Sequence, residues 1–148
     1  MTHPRLTSFP LATWEREGLK AALAKIGLPT AGIEAEDRLF WRFETVDLTP
    51  VGFGGLEIHG EHGLLRSVVT LPPVRGKGIG AQIVAMMEVE ASGRGCRTLW
   101  LITLAGSAYF GSFGFVPCDR ATAPESIQKT EQFIACPAGA IAMSKRLD

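Results

Sequence analysis

Apolar and polar positions along this chain switch between two spacings. Residues 38–46 alternate, with Leu39, Trp41 and Phe43 on one side and Arg38, Arg42 and Glu44 on the other, which predicts a half-buried strand. Residues 51–59 and 64–71 read as two further strands, joined by a tight hairpin at Gly60-Glu61-His62-Gly63. Over residues 78–94 the spacing becomes helical: Ile79, Ile83, Met86 and Met87 share a face, and Gly95 closes the helix. An earlier helix over residues 14–26 aligns Leu19, Ala22, Leu23 and Ile26 and stops at Gly27 and Pro29. Residues 98–104 form a buried strand. A short helix over 107–113 leaves through Gly114, where glycine takes the left-handed cap without penalty. A strand over 115–118, a helical turn over 124–130 and a last strand over 140–146 complete the chain; residues 5–8 open it, and 33–37 stay irregular. The expected class is α+β, a mixed and mostly antiparallel sheet with one parallel crossover through the long helix, in a single domain of 148 residues.

The strand over 64–71 runs through a proline break into a glycine-rich turn that opens the long helix, Arg75-Gly76-Lys77-Gly78-Ile79-Gly80-Ala81. Such a turn leaves several backbone N–H groups pointing one way. With the positive end of the helix dipole and the side chains of Arg75 and Lys77, they form a seat for a diphosphate. A P-loop is excluded, because Gly76-Lys77 is followed by Gly78 and no hydroxyl is present for magnesium. Gly76, Gly78 and Ala81 meet a dinucleotide fingerprint, but the strand over 98–104 ends without the acidic residue that would hold a ribose, and too little chain follows for a doubly wound sheet.

Arg75-x-x-Gly78-x-Gly80, between a strand and a helix, resembles the acetyl-coenzyme A signature of the GNAT acetyltransferases. Ala108-Tyr109-Phe110-Gly111-Ser112-Phe113-Gly114-Phe115 is similar to the same family's short helix ending in Gly-Phe. The resemblance implies the GNAT (acyl-CoA N-acyltransferase) fold, with splayed central parallel strands flanked by helices, and acetyl-coenzyme A as cosubstrate. It assigns cofactor binding to Val68, Val69, Arg75, Gly76, Lys77, Gly78, Gly80, Ala81 and Phe110, with a backbone N–H near Val68 and Val69 polarising the thioester carbonyl.

Acetyl transfer to an amine also needs a base to take the ammonium proton and an acid for the departing sulfur. The family's acid is a tyrosine at the position held here by Phe110. Tyr109, the only tyrosine, lies about 100° round the helix from it, and either supplies that proton or anchors the helix. A hairpin centred on Glu61 and His62 sets Glu57 opposite Arg66. Glu57 then either deprotonates the amine while Arg66 holds an anionic part of the substrate, or the two form an ordinary cross-strand ion pair. His59 shares the face of Glu57 and has the better pKa for base work near neutrality. Its alternative is a surface residue near a turn.

Gly55-Leu56-Glu57, Leu64-Leu65-Arg66-Ser67, the glycine turn, Phe110 and Cys136-Pro137 together resemble the narrower ArsN-type acetyltransferases associated with arsenic resistance. That resemblance implies a toxic small-molecule amine, such as an amino acid bearing a phosphinate or organoarsenical group. Arg66 would suit such an anion, and Cys136 either touches a soft atom or is a structural thiol. A non-catalytic coenzyme A-binding module and a protein N-acetyltransferase are the competing readings.

Formal net charge is zero, so nucleic acid and anionic membrane surfaces are not expected partners. No apolar run reaches the ~20 residues of a membrane span. Cys96, Cys118 and Cys136 are odd in number and lack metal or redox spacing, which suits a reducing cytoplasm. His59 and His62 sit three apart around a turn, which is not a zinc pattern, so no metal is expected. Exposed strand edges suggest a homodimer.

Overall fold

The computed structural model describes residues 5–27, 30, 33, 38–71 and 78–147. Strands β1 (Leu6–Pro10), β2 (Arg38–Thr45), β3 (Pro50–His59), β4 (His62–Thr70), β5 (Thr98–Thr103), β6 (Val116–Cys118) and β7 (Ile141–Arg146) form one seven-stranded sheet in the order β1-β2-β3-β4-β5-β7-β6. The helices are α1 (Arg16–Lys25), α2 (Ile79–Gly93), α3 (Ser107–Gly111), α4 (Glu125–Gln128) and α5 (Glu131–Ala135), with single 3-10 turns at Thr13–Glu15 and Arg120–Thr122. β4 and β5 are parallel, as a crossover through α2 requires, whereas β1–β2, β5–β7 and β6–β7 are antiparallel. A mixed sheet flanked by helices is the arrangement that the sequence resemblance implies.

The chain divides into two compact units, Met1–Leu56 with Arg66–Met87, and Glu57–Leu65 with Glu88–Asp148. In the first, Leu19 and Leu23 of α1 pack with Leu11, Ile33, Phe40, Phe53 and Val69. Arg16 is buried there too. Its guanidinium donates to the carbonyls of Ile33 (2.7 Å) and Arg38 (2.9 Å) and lies 5.2 Å from the centre of the Phe40 ring. β2 is therefore covered on both faces rather than half-buried: Trp41 and Phe43 fill one side, while Phe40 and Glu44 are buried on the other. Glu44 is tolerated inside because Arg42 donates to it. Gly52 lets β3 come close to its neighbours, since a Cβ there would meet the Val69 carbonyl oxygen at 2.2 Å and Ile83 Cδ1 at 2.7 Å.

In the second unit Leu64, Trp100, Ala123, Ile127, Phe133 and Ala142 form the core. The segment between β6 and β7 reaches it through α4 and α5. Thr130 caps α5 by accepting the Phe133 N–H, and Arg120 donates to the carbonyls of Phe133, Cys136 and Pro137 behind it.

The hairpin differs from expectation. Its connection is the two residues Gly60 and Glu61, with Gly60 at φ 63°, and β4 already begins at His62. His59 is then opposite His62, Glu57 opposite Leu64 and Gly55 opposite Arg66. Each partner moves by two positions from the expected pairing, so every side chain keeps its expected face.

Candidate active site

Within the first unit the site is assembled from main chain. β4 enters with Arg66, which is buried, stands 5.7 Å from the centre of the Phe40 ring, and donates from Nε to Ser67 Oγ at 3.2 Å. Ser67 takes φ 57° in the middle of a strand. A left-handed non-glycine residue there is the mark of a bulge, which re-aims the N–H groups that follow it. Those are Val68, partly exposed, and Val69, buried, the two residues the resemblance assigns to the thioester. Nothing in the sequence distinguishes Ser67 from an ordinary strand serine.

Arg75, Gly76 and Lys77 lie outside the described residues. Gly78 is exposed and left-handed at φ 76°, a conformation that carries no steric cost for glycine. The Gln82 N–H closes the first helical bond onto the Gly78 carbonyl at 3.3 Å. The N–H groups of Ile79, Gly80 and Ala81 therefore have no acceptor within α2, and all point out of its positive end. Gly80 is buried and Ala81 exposed. Gln82 Nε2 is buried and has no hydrogen-bond partner among the described residues.

The second unit carries candidate side chains of its own. Glu57 is 3% exposed on β3. Its Oε1 lies 3.4 Å from Nε2 of His59, whose side chain is 28% exposed. Glu57 is aligned with Leu64, Leu64 with Trp100 on β5, and Trp100 with Ser144 on β7. Side chains in one cross-strand row share a face, with strands about 4.8 Å apart. Trp100 is 8% exposed, and its buried Nε1 has no hydrogen-bond partner among the described residues.

On α3, Phe110 is half-buried and its ring lies edge-on to Tyr109 (5.2 Å) and Phe115 (6.0 Å). Tyr109 is 45% exposed and also packs on Phe113 at 4.8 Å. Partial burial pushes its phenol above the ordinary value, so it stays protonated across neutral pH. Gly114, at φ 95°, ends the turn as expected. Lys145 holds it from behind, donating to Glu88 (2.8 and 3.0 Å) and to the Phe113 carbonyl (2.8 Å). Burial likewise pushes up the thiols of Cys96 and Cys136, the latter against the pull of Arg120, so neither is set up as a thiolate. Among the described residues no group of three His, Cys, Asp or Glu side chains is placed to hold a metal, and no helix is long and apolar enough to cross a membrane.

The acetyltransferase (GNAT) family model matches residues 5–115, more than half of the chain. This protein belongs to the GNAT acetyltransferase family. Two of the solved structures it resembles, at 17% and 18% identity, are complexes with coenzyme A. No curated protein matches the chain. Among solved structures it is similar to N-acetylglutamate synthase from Neisseria gonorrhoeae complexed with coenzyme A and N-acetyl-glutamate, with a TM-score of 0.82 and 17% identity over 99% of this chain and 36% of that one. It is similar also to a GNAT acetyltransferase from Staphylococcus aureus Mu50, with a TM-score of 0.76 and 13% identity over 97% of this chain and 100% of that one. A third likeness is to the ribosomal-protein-S18-alanine N-acetyltransferase of Escherichia coli, with a TM-score of 0.72 and 19% identity over 97% of this chain and 95% of that one. This chain spans about a third of the length of the synthase. At these identities the likeness is one of fold.

Coenzyme A suits the donor set of this GNAT chain. Three outward N–H groups at a helix start match the chemistry of a diphosphate.

Proposed function

We propose that this GNAT acetyltransferase acetylates the primary amine of a small molecule that carries an anionic group. The ArsN resemblance supports a toxic amino-acid analogue, with a phosphinate or organoarsenical function, as the substrate class. The observation that carries the reading is the left-handed Gly78 at the head of α2, on the element that follows a bulged β4.

Acetyl-coenzyme A supplies the activated acetyl thioester. The main chain at Gly78, Gly80 and Ala81 holds its diphosphate, with Arg75, Gly76 and Lys77 preceding them, and Phe110 packs against the cofactor. The N–H groups at Val68 and Val69 polarise the carbonyl. Glu57 receives the amine proton, and His59, more exposed and 3.4 Å away, passes it to water. The N–C bond forms as the C–S bond breaks, Tyr109 gives its proton to the leaving sulfur, and the second proton shed by the nitrogen returns to Tyr109 through water. Arg66 receives the anionic group of the acceptor, in the planar two-oxygen grip a guanidinium offers. The reaction belongs to a reducing cytoplasm, in keeping with three free cysteines.

The test is thiol release. Protein and acetyl-coenzyme A are mixed with a panel of phosphinate and carboxylate amino acids, uncharged amines, and a peptide with a free N-terminal alanine. The expected outcome is turnover confined to the anionic small amines. Turnover on the peptide alone would move the acceptor to protein, and none on any amine would contradict the catalytic reading.

A further inference from the structure

Lys145 on β7 is a lysine with every donor engaged. Its ammonium has three N–H groups. They meet Glu88 Oε1 at 2.8 Å, Glu88 Oε2 at 3.0 Å and the Phe113 carbonyl at 2.8 Å. Nζ also stands 6.0 Å from the centre of the Phe115 ring. The stem passes over Gly114, where a Cβ would meet Lys145 Cε at 3.3 Å. Both partners of the ion pair are largely withdrawn from solvent, with side chains 27% and 20% exposed for Lys145 and Glu88. Fixing a long side chain in one geometry costs rotamer entropy, and lysines at a surface are mostly left free. A lysine this constrained is holding something.

What it holds is α3. That helix has five residues, far short of the roughly 12 that a helix needs to persist alone in water. Its N-cap, Gly106, has no side chain to satisfy the first amides. The turn that follows offers carbonyls at the negative end of the helix, where a cation is favoured, and Phe113 supplies one of them to Lys145. Ring contacts complete a closed loop. Phe115 meets Phe110, Phe110 meets Tyr109, and Tyr109 meets Phe113, all edge-on with centres 4.8 to 6.0 Å apart. Lys145 closes that loop by touching the Phe115 ring at one end and the Phe113 carbonyl at the other.

We infer that Lys145, oriented by Glu88, is a positioning residue for acetyl transfer, setting the direction in which α3 presents Tyr109 and Phe110. Lys145 acts through Phe113 and Phe115 and touches no reacting atom. The inference rests on the reading of Tyr109 as the acid for the leaving sulfur.

Tyr109 is the only tyrosine, so protein with isotope-labelled tyrosine gives ring signals from α3 alone. In the wild type the edge-on rings of Phe110 and Phe113 displace those signals from the position of free tyrosine. The experiment records them at neutral pH for the wild type, Lys145→Met, Glu88→Ala and Phe133→Ala, beside thiol release with acetyl-coenzyme A and the best amine of the panel. Phe133→Ala leaves a cavity in the core away from this loop and controls for lost stability by itself. In Lys145→Met and Glu88→Ala the signals should move toward free tyrosine, and turnover should fall about tenfold through misplacement of the acid. The control should leave the ring signals where they are. Wild-type ring signals in Lys145→Met, or displaced signals with full turnover, would overturn the inference. So would an equal displacement in Phe133→Ala, since that is the mark of general loosening. Tyr109→Phe separates the underlying reading: wild-type turnover in that variant removes the acid itself and the inference with it, whatever the ring signals show.

Discussion

The two sides of the proposed chemistry are built from different material. In the first unit the bulged β4 and the head of α2 present backbone N–H groups, and their side chains are mostly glycine, alanine and valine. In the second unit the functional candidates Glu57, His59 and Tyr109 act through side chains, as Arg66 alone does in the first, and are carried on a strand and a short helix. A backbone site depends on dihedral angles and is damaged by adding atoms. A side-chain site depends on functional groups and is damaged by removing them.

Substitutions that separate the two sides sharpen this comparison. The largest effect is expected from Gly78→Val, which forces a β-branched residue into the left-handed region. Coenzyme A affinity should fall by about a hundredfold or more, roughly 2.8 kcal/mol, as measured by calorimetry, with little change in near-UV circular dichroism. Glu57→Gln should do the opposite, keeping coenzyme A affinity while lowering turnover by about a hundredfold. Equal losses in both quantities would erase the distinction. Phe133→Ala should destabilise the protein by about 3 kcal/mol in denaturant titration, through the cavity it leaves beside Trp100 and Ile127, while the free energy of coenzyme A binding to the folded protein stays the same.

The smallest effect concerns neither side. Glu15 accepts the Ala12 N–H (3.0 Å) and the Arg42 guanidinium (2.9 Å), and these bonds hold its carboxyl below the ordinary range. A depressed folded pKa contributes stability that is present above the unfolded value and is lost as pH falls through the folded one. Glu15→Gln should therefore melt slightly below wild type at neutral pH, and the two melting curves should converge in acid. A constant gap at every pH would mean that charge plays no part.

The same contrast governs what could be read from the sequence. The glycine turn and the stripe of Ile79, Ile83 and Met87 announce α2 and the left-handed Gly78 at its head, because left-handed backbone and helical period both leave a trace in residue type. β2 looked half-polar, yet Phe40 and Glu44 are buried on its second face, since α1 and Ile33 supply a core there that no local alternation encodes. The hairpin pairing shifted by two because Gly60 alone supplies the left-handed residue of a two-residue turn. Helices α4 and α5 have four and five residues, too short to show a period, and only the first was anticipated as a helical turn. Ser67, Gln82 and Trp100 stayed hidden because their interest lies in a dihedral angle or a missing partner, which become visible only once the chain is folded.

The most direct test of the central claim is titration of coenzyme A into the wild-type protein, followed by calorimetry and repeated with adenosine 3′,5′-bisphosphate, which lacks the diphosphate. The account predicts saturable binding of one coenzyme A per chain and markedly weaker binding of the bisphosphate. Absence of binding by coenzyme A, or equal affinity for both ligands, would contradict a diphosphate seat at the head of α2.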